Sequence, residues 1–325
     1  MTKVTKIFVF LAVLGALSLR CPAADPSTPT RISVSTLNAE MVLDSTALRH
    51  QVEYLCHPST GGRATGTTGS QKVIGWLGEQ FQQFQLEPLS GTYYHGFRTP
   101  AGAFGRNVMG CIRGNSEPEK FMVVMAHFDN LGTLNGIFYP GADSNASGVA
   151  ALLALARMFA EMRDCGKVYS HSILFVALDA KEQGMAGAAS LYNYLEKNGM
   201  EVSLVVNLDQ VGSSLAPLHK NRPDYLMMLC EPSDSRRLTL ERINADKETG
   251  LDLGYDYYGS KDFTTLFYRR ISEQRVFLEH GIPAVMFTSG ITLNNNKSYD
   301  TPETLDYSLL HRRIRLIFHF LHQLL

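Results

Sequence analysis

The chain has 325 residues, 45% of them hydrophobic, with 30 basic and 31 acidic side chains, an ordinary globular composition with room for one large domain or two small ones. A net charge of −1 gives no basic field for nucleic acid or for an anionic lipid surface. Neither class of partner is expected.

The chain opens on "MTKVTKIFVFLAVLGALSLRCPAADPS", with Lys3 and Lys6 ahead of an apolar run from Ile7 to Leu19 and then small residues. That run falls short of the roughly 20 residues that span a bilayer and fits a secretory signal peptide over 1–23, cleaved after Ala23. Arg20 beside Cys21 argues against lipidation. The mature chain is therefore expected to be exported, periplasmic or secreted, with no stable membrane insertion once the signal is removed. Residues 24–44, rich in Pro, Ser and Thr through 40, are predicted to be a linker, and 45–325 the folded domain. Four cysteines remain after cleavage: Cys56, Cys111, Cys165 and Cys230. Their even number permits disulfides, but they are widely spaced, and Cys111 and Cys230 lie in apolar runs as core residues do.

Helical spacing then appears in "GSQKVIGWLGEQFQQF" (69–84), followed by apolar strand-like runs at 107–113 and 120–127. "ASGVAALLALARMFAEM" (146–162) predicts a buried helix, 172–179 a strand, 188–198 a helix, and 203–209 and 224–231 two more strands. The aromatic stretch 255–270 fits a helix packed into the core; 282–290 is a strand, and 306–325 closes the chain as an amphipathic helix with a basic edge. Alternation of this kind argues an α/β fold with a mainly parallel central sheet, and the continuously apolar strands argue that both of its faces are covered.

Three strands end on chemistry. "MVVMAHFD" delivers His127 and Asp129, "LFVALDAKE" delivers Asp179 and Glu182, and "LVVNLDQVG" delivers Asp209. A further acid, Asp143, stands in a loop just before a helix. Each alone is most simply a cap or a surface charge. Together they lie where ligands bind in open α/β sheets, beyond the carboxyl ends of the strands. Histidine and carboxylates are the ligands of a hydrolytic zinc site, and Asp129 is placed to orient the His127 ring.

In order, "GRNVMGCIRG", "VVMAHFDNLG", "GADSNASGVAALLALAR", "LFVALDAKEQGMAGA", "VVNLDQVGS" and "GIPAVMFTSG" resemble the M28 family of zinc aminopeptidases over about residues 45–325. The resemblance implies a three-layer α/β/α sandwich with a mainly parallel mixed sheet, acting on a peptide or an amino-acid-derived small substrate. It also implies two metal sites bridged by Asp143, one completed by His127 and Asp209, the other by Glu182 and a late histidine. A glutamate directly before Glu182 would be the general base.

This chain departs from that pattern at two places. The base position is Lys181, and the late histidine position, in "NKSYDTPETLD", is Asn296. A third, weaker difference is "SEQ" at 272–274, where Ser-Asp-His is common in the family. A lysine base would need its pKa lowered by about three units, and neighbouring acids push it the other way. Asn296 offers only a neutral amide oxygen. The expectation is an impaired or single-metal peptidase holding one zinc ion or none, with a catalytically inactive peptide-binding protein as the alternative. A serine hydrolase is excluded by the lack of a Gly-x-Ser-x-Gly elbow. His127, Asp143, Glu182 and Asp209 are predicted to converge within ligand distance of one centre. The Lys181 ammonium is predicted to stand in for the second metal, close to Glu182.

Overall fold

A computed structural model of the chain describes residues 33–216, 222–257 and 259–325. The signal peptide expected at 1–23 lies outside the described residues, as do positions 24–32 of the expected linker. The rest of that linker is not extended chain. Val34–Met41 forms helix α1, started by the Ser33 hydroxyl accepting from Thr36 N at 3.2 Å. Ala39 of α1 is buried, and Glu40 binds His319 and Arg315 on the closing helix at 2.6 and 2.7 Å. A Ser- and Thr-rich composition suggested a linker; two anchored residues make this stretch part of the folded body.

Helices α2 (Ser45–Leu55) and α3 (Thr68–Gln83) precede strands β1 (Tyr94–Arg98), β2 (Phe104–Ile112) and β3 (Glu117–His127). A short hairpin, β4 (Thr133–Leu134) and β5 (Ile137–Phe138), leads to α4 (Ser147–Asp164), β6 (His171–Leu178), α5 (Ala186–Lys197) and β7 (Glu201–Leu208). The chain continues through β8 (Tyr225–Leu229), α6 (Arg236–Asp246), β9 (Asp252–Gly254), α7 (Lys261–Arg269), α8 (Gln274–Glu279), β10 (Ala284–Thr288) and α9 (Tyr307–Leu324).

Among the described residues, eight strands form one sheet in the order β1-β2-β6-β3-β7-β10-β8-β9. The middle four, β6-β3-β7-β10, are parallel; β1, β2 and β8 pair antiparallel to their inward neighbours. Alternate residues of each strand feed opposite faces, as the pleat requires. Met122, Val124 and Ala126 of β3 pack with α4 and α9, while Phe121, Val123 and Met125 pack toward α5 and α8. The result is the expected three-layer α/β/α sandwich. Helix α4 is buried almost all round because it lies between the sheet and the outer helices. Gly148, in its first turn, allows close approach to the sheet: a Cβ there would lie 2.5 Å from the Leu208 carbonyl oxygen.

Cys56, Cys111, Cys165 and Cys230 are all free thiols, and burial pushes Cys56 and Cys111 up to about 12. Among the described residues no helix is long and apolar enough to cross a membrane.

Candidate active site

Parallel register brings the chemistry to one edge. His127 pairs with Leu178, and Met125 with both Val176 and Asn207, so β6, β3 and β7 end at one level. Asp179, His127 and Asp209 therefore emerge side by side.

Several residues with no sequence signature hold this edge in place. Arg63 is fully buried and donates to the carbonyls of Leu55 (2.7 Å), Phe128 (2.7 Å), Pro140 (2.6 Å) and Gly141 (2.9 Å). Asn145 donates to the Leu208 carbonyl at 2.9 Å and accepts from Gln210 N at 2.9 Å, tying the start of α4 to the end of β7. Asp300, buried, accepts from the amides of Asp143 (2.9 Å) and Ser144 (3.1 Å). The late "YDTP" stretch thus contributes a clamp on the Asp143 loop. Asp143 itself accepts from Gly212 N at 2.8 Å through Oδ1 and has the Ser147 hydroxyl at 3.0 Å, while its buried Oδ2 has no hydrogen-bond partner. Burial, with the Asp300 charge adding to it, pushes Asp143 up to about 7.

Asp129 does something other than orient the His127 ring through its carboxylate. Its Oδ1 accepts from Lys181 N and its Oδ2 from Glu182 N, each at 3.0 Å, so it fixes the turn after β6. The nearest acceptor to His127 Nδ1 is the Asp129 backbone carbonyl at 3.1 Å; the carboxylate is 3.7 Å away. Asp179 is likewise structural, accepting from Thr65 Oγ1 (2.8 Å), Arg106 N (3.0 Å) and Ala180 N (2.8 Å).

Pinned by Asp129, Lys181 sends its side chain inward across the end of β3. Its Nζ lies 3.0 Å from His127 Nε2 and 3.1 Å from Asp209 Oδ2. Burial opposes the charge on this lysine, but Asp209, Glu273 and Glu182 more than offset it and hold the ammonium above the ordinary lysine value. Asp209 is held below the usual carboxylate range despite its burial, by Lys181 and then His127. At His127, burial and Lys181 oppose protonation, and Glu273, Asp129 and Asp209 together push the pKa up past them, although a proton on Nε2 would face the ammonium. The 3.0 Å contact decides between them. An ammonium has no lone pair, so Nε2 must accept, and the ring is neutral with its proton on Nδ1.

The other two expected ligands stand apart from this cluster. Glu182 and Asn296 are exposed on the wall of a cavity of about 370 Å³, which Lys181, Asp209, Tyr257 and Phe267 also line. Among the described residues no three His, Cys, Asp or Glu side chains are placed to hold one metal ion. The predicted convergence of His127, Asp143, Glu182 and Asp209 on one centre is therefore not found, although all four belong to the same end of the sheet. The ammonium makes its hydrogen-bond contacts with His127 and Asp209, and Glu182 acts on it as a nearby charge.

Glu273 was passed over as a site residue. It is 1% exposed, accepts from Asn207 Nδ2 at 3.2 Å, and leaves Oε1 without a hydrogen-bond partner. Burial raises its pKa, with His127 and Lys181 opposing. The available signal was "SEQ" at 272–274, which keeps an acid where the family pattern has one.

Residues 107–321 match peptidase family M28. The chain belongs to that family. A protein named as a probable zinc metalloprotease of Phaeosphaeria nodorum is 27% identical over 329 residues, covering 85% of this chain and 64% of its own length. Human transferrin receptor protein 2 is 32% identical over 148 residues, which cover 45% of this chain and 17% of that one. Among solved structures, the LapA aminopeptidase of Legionella pneumophila superposes with a TM-score of 0.69 at 17% identity, over 90% of this chain and 75% of that one. The chain thus spans less than two-thirds of the metalloprotease relative's length. Zinc is the metal that the M28 family implies. The residues present do not fit it as they are arranged, because the Lys181 ammonium occupies the lone pairs of His127 Nε2 and Asp209 Oδ2.

Proposed function

We propose that this M28 chain is a peptide-binding protein without ordinary two-zinc aminopeptidase turnover. One observation carries the reading: the side chain directly before Glu182 is an ammonium locked between His127 and Asp209. A general base needs a lone pair near neutral pH, and this group has none while Asp209 holds it charged. Asn296 adds only a weak neutral ligand. The single-metal peptidase would require Lys181 to leave both of its partners.

The cavity is suited to recognition. The exposed Glu182 carboxylate can receive the ammonium of a peptide amino terminus or of an amino-acid-derived molecule. Phe267, half-buried and stacked at 4.3 Å on the buried ring of Tyr257, offers apolar surface to its first side chain. Similarity to a protein named as a receptor supports a role of this fold in binding.

The test is a panel of aminoacyl and dipeptide substrates with added zinc, with binding of the same peptides followed by calorimetry. Binding without turnover is expected. A kcat in the usual enzymatic range of about 1–1,000 per second would overturn the reading. Export is part of the same proposal, carried by the leader sequence: the amino terminus of protein recovered from its native host should lie near Ala24, and an intact Met1 would refute it.

A further inference from the structure

The Lys181 contact has a consequence for metal binding that the family relationship alone does not supply. A neutral imidazole nitrogen has one lone pair. At His127 Nε2 that lone pair is taken by the Lys181 ammonium at 3.0 Å, and Asp209 Oδ2 is taken at 3.1 Å. A zinc ion would need the same atoms at about 2.0–2.2 Å. Ion and ammonium therefore exclude one another.

Nor is the lysine free to stand well aside. Its own amide and that of Glu182 are held by the two oxygens of Asp129, and its side chain is only 16% exposed. Beside the ammonium the chain keeps an acceptor that a cation could use: the buried Asp209 Oδ1 has no hydrogen-bond partner among the described residues. An imidazole nitrogen and a carboxylate are ligand types that zinc accepts, once the competing cation is gone.

We propose that Lys181 is the resident cation of this site, its ammonium standing where the family's metal would bridge His127 and Asp209, so that the native chain takes up no zinc there. This rests on the reading of the pocket as a binding site without metal-dependent turnover.

The experiment measures zinc content and melting temperature for the tag-free native chain, Lys181→Ala and Lys181→Arg, each with excess zinc and with chelator. The native chain and Lys181→Arg should retain no zinc and melt at the same temperature in both. Lys181→Ala should bind about one zinc per chain through His127 and Asp209. Its affinity should exceed the native one by on the order of a thousandfold or more, since a unit charge at about 4 Å in an effective dielectric near 20 gives about that factor against another unit charge and zinc is divalent. Its melting temperature should rise with zinc, and adding His127→Ala should abolish both gains. Stoichiometric tight zinc in the native chain would overturn the proposal, and so would a folded Lys181→Ala chain that gains none. If Lys181→Ala folds only when zinc is present, that supports it, and the native measurement decides regardless. The two proposals fail separately. Peptide turnover by the metal-free native chain would sink the binding-protein reading alone, and zinc in an inactive native chain would sink this one alone.

Discussion

Replacing Lys181 by Met removes the one hydrogen-bond donor that Asp209 Oδ2 has among the described residues, in a carboxylate whose Oδ1 has none there. Breaking a buried ion pair from one side costs about 3–5 kcal/mol, because a charge is left without compensation. Here His127 Nε2 lies 3.6 Å from Asp209 Oδ1 and can take up a proton, which reduces the expected loss to about 2–4 kcal/mol at neutral pH. Asp209→Asn leaves the ammonium with an amide oxygen and the imidazole, and should cost about 2 kcal/mol. In the double variant no buried charge remains at either position, so the loss should be about 1 kcal/mol or less. The coupling energy is then about 3–5 kcal/mol. The assay is urea unfolding in chelator, followed by far-UV circular dichroism and by the fluorescence of Trp76, the only tryptophan, whose ring lies 4.6 Å from that of Tyr54. Additive single losses, or a Lys181→Met chain within about 0.5 kcal/mol of native, would show that the pair is not buried and coupled as described.

Three further outcomes are expected. Arg63→Ala removes four hydrogen bonds to buried carbonyls, of which Leu55 and Gly141 keep Thr60 Oγ1 and Ala146 N as donors, and should destabilise the chain by about 3–5 kcal/mol in the same unfolding assay, well beyond an ordinary surface substitution. Asp300→Ala frees the amides of Asp143 and Ser144, costing about 2–4 kcal/mol, and should speed hydrogen exchange at those two amides more than at the end of β3. Glu40 is lowered to about 2 by His319 first, with Arg315 adding and burial opposing. Because its folded pKa lies below the unfolded one, its contribution is full above about pH 4.5 and is lost as pH falls toward 2. Screened on its open side, that contribution is about 1–2 kcal/mol, so the urea-midpoint gap between native and Glu40→Gln should narrow between pH 6 and pH 3.

The sequence by itself determined the layers and the place of the site. Continuous apolar runs such as "KFMVVMAH" are what a strand covered on both faces must carry, and the long runs with helical spacing are helices α3, α4, α5 and α9. A parallel sheet then sends every strand-end acid to one edge, whatever the details, because the βαβ crossovers align the carboxyl ends. Short elements escaped: α1 looked like linker, and α8 and β9 are too brief for a period to show. What only the tertiary structure decided is where charged atoms meet. Nothing in "DAKEQG" says that Lys181 points across β3 rather than into water. That direction follows from Asp129 gripping two successive amides, from the Asp209 carboxylate on the next strand but one, and from an imidazole nitrogen between them. Asp129 and His127 come from the end of β3, and Asp209 from the end of β7. A side chain's direction is set by such distant partners, through electrostatics that act at about 3 Å and have no period along the chain.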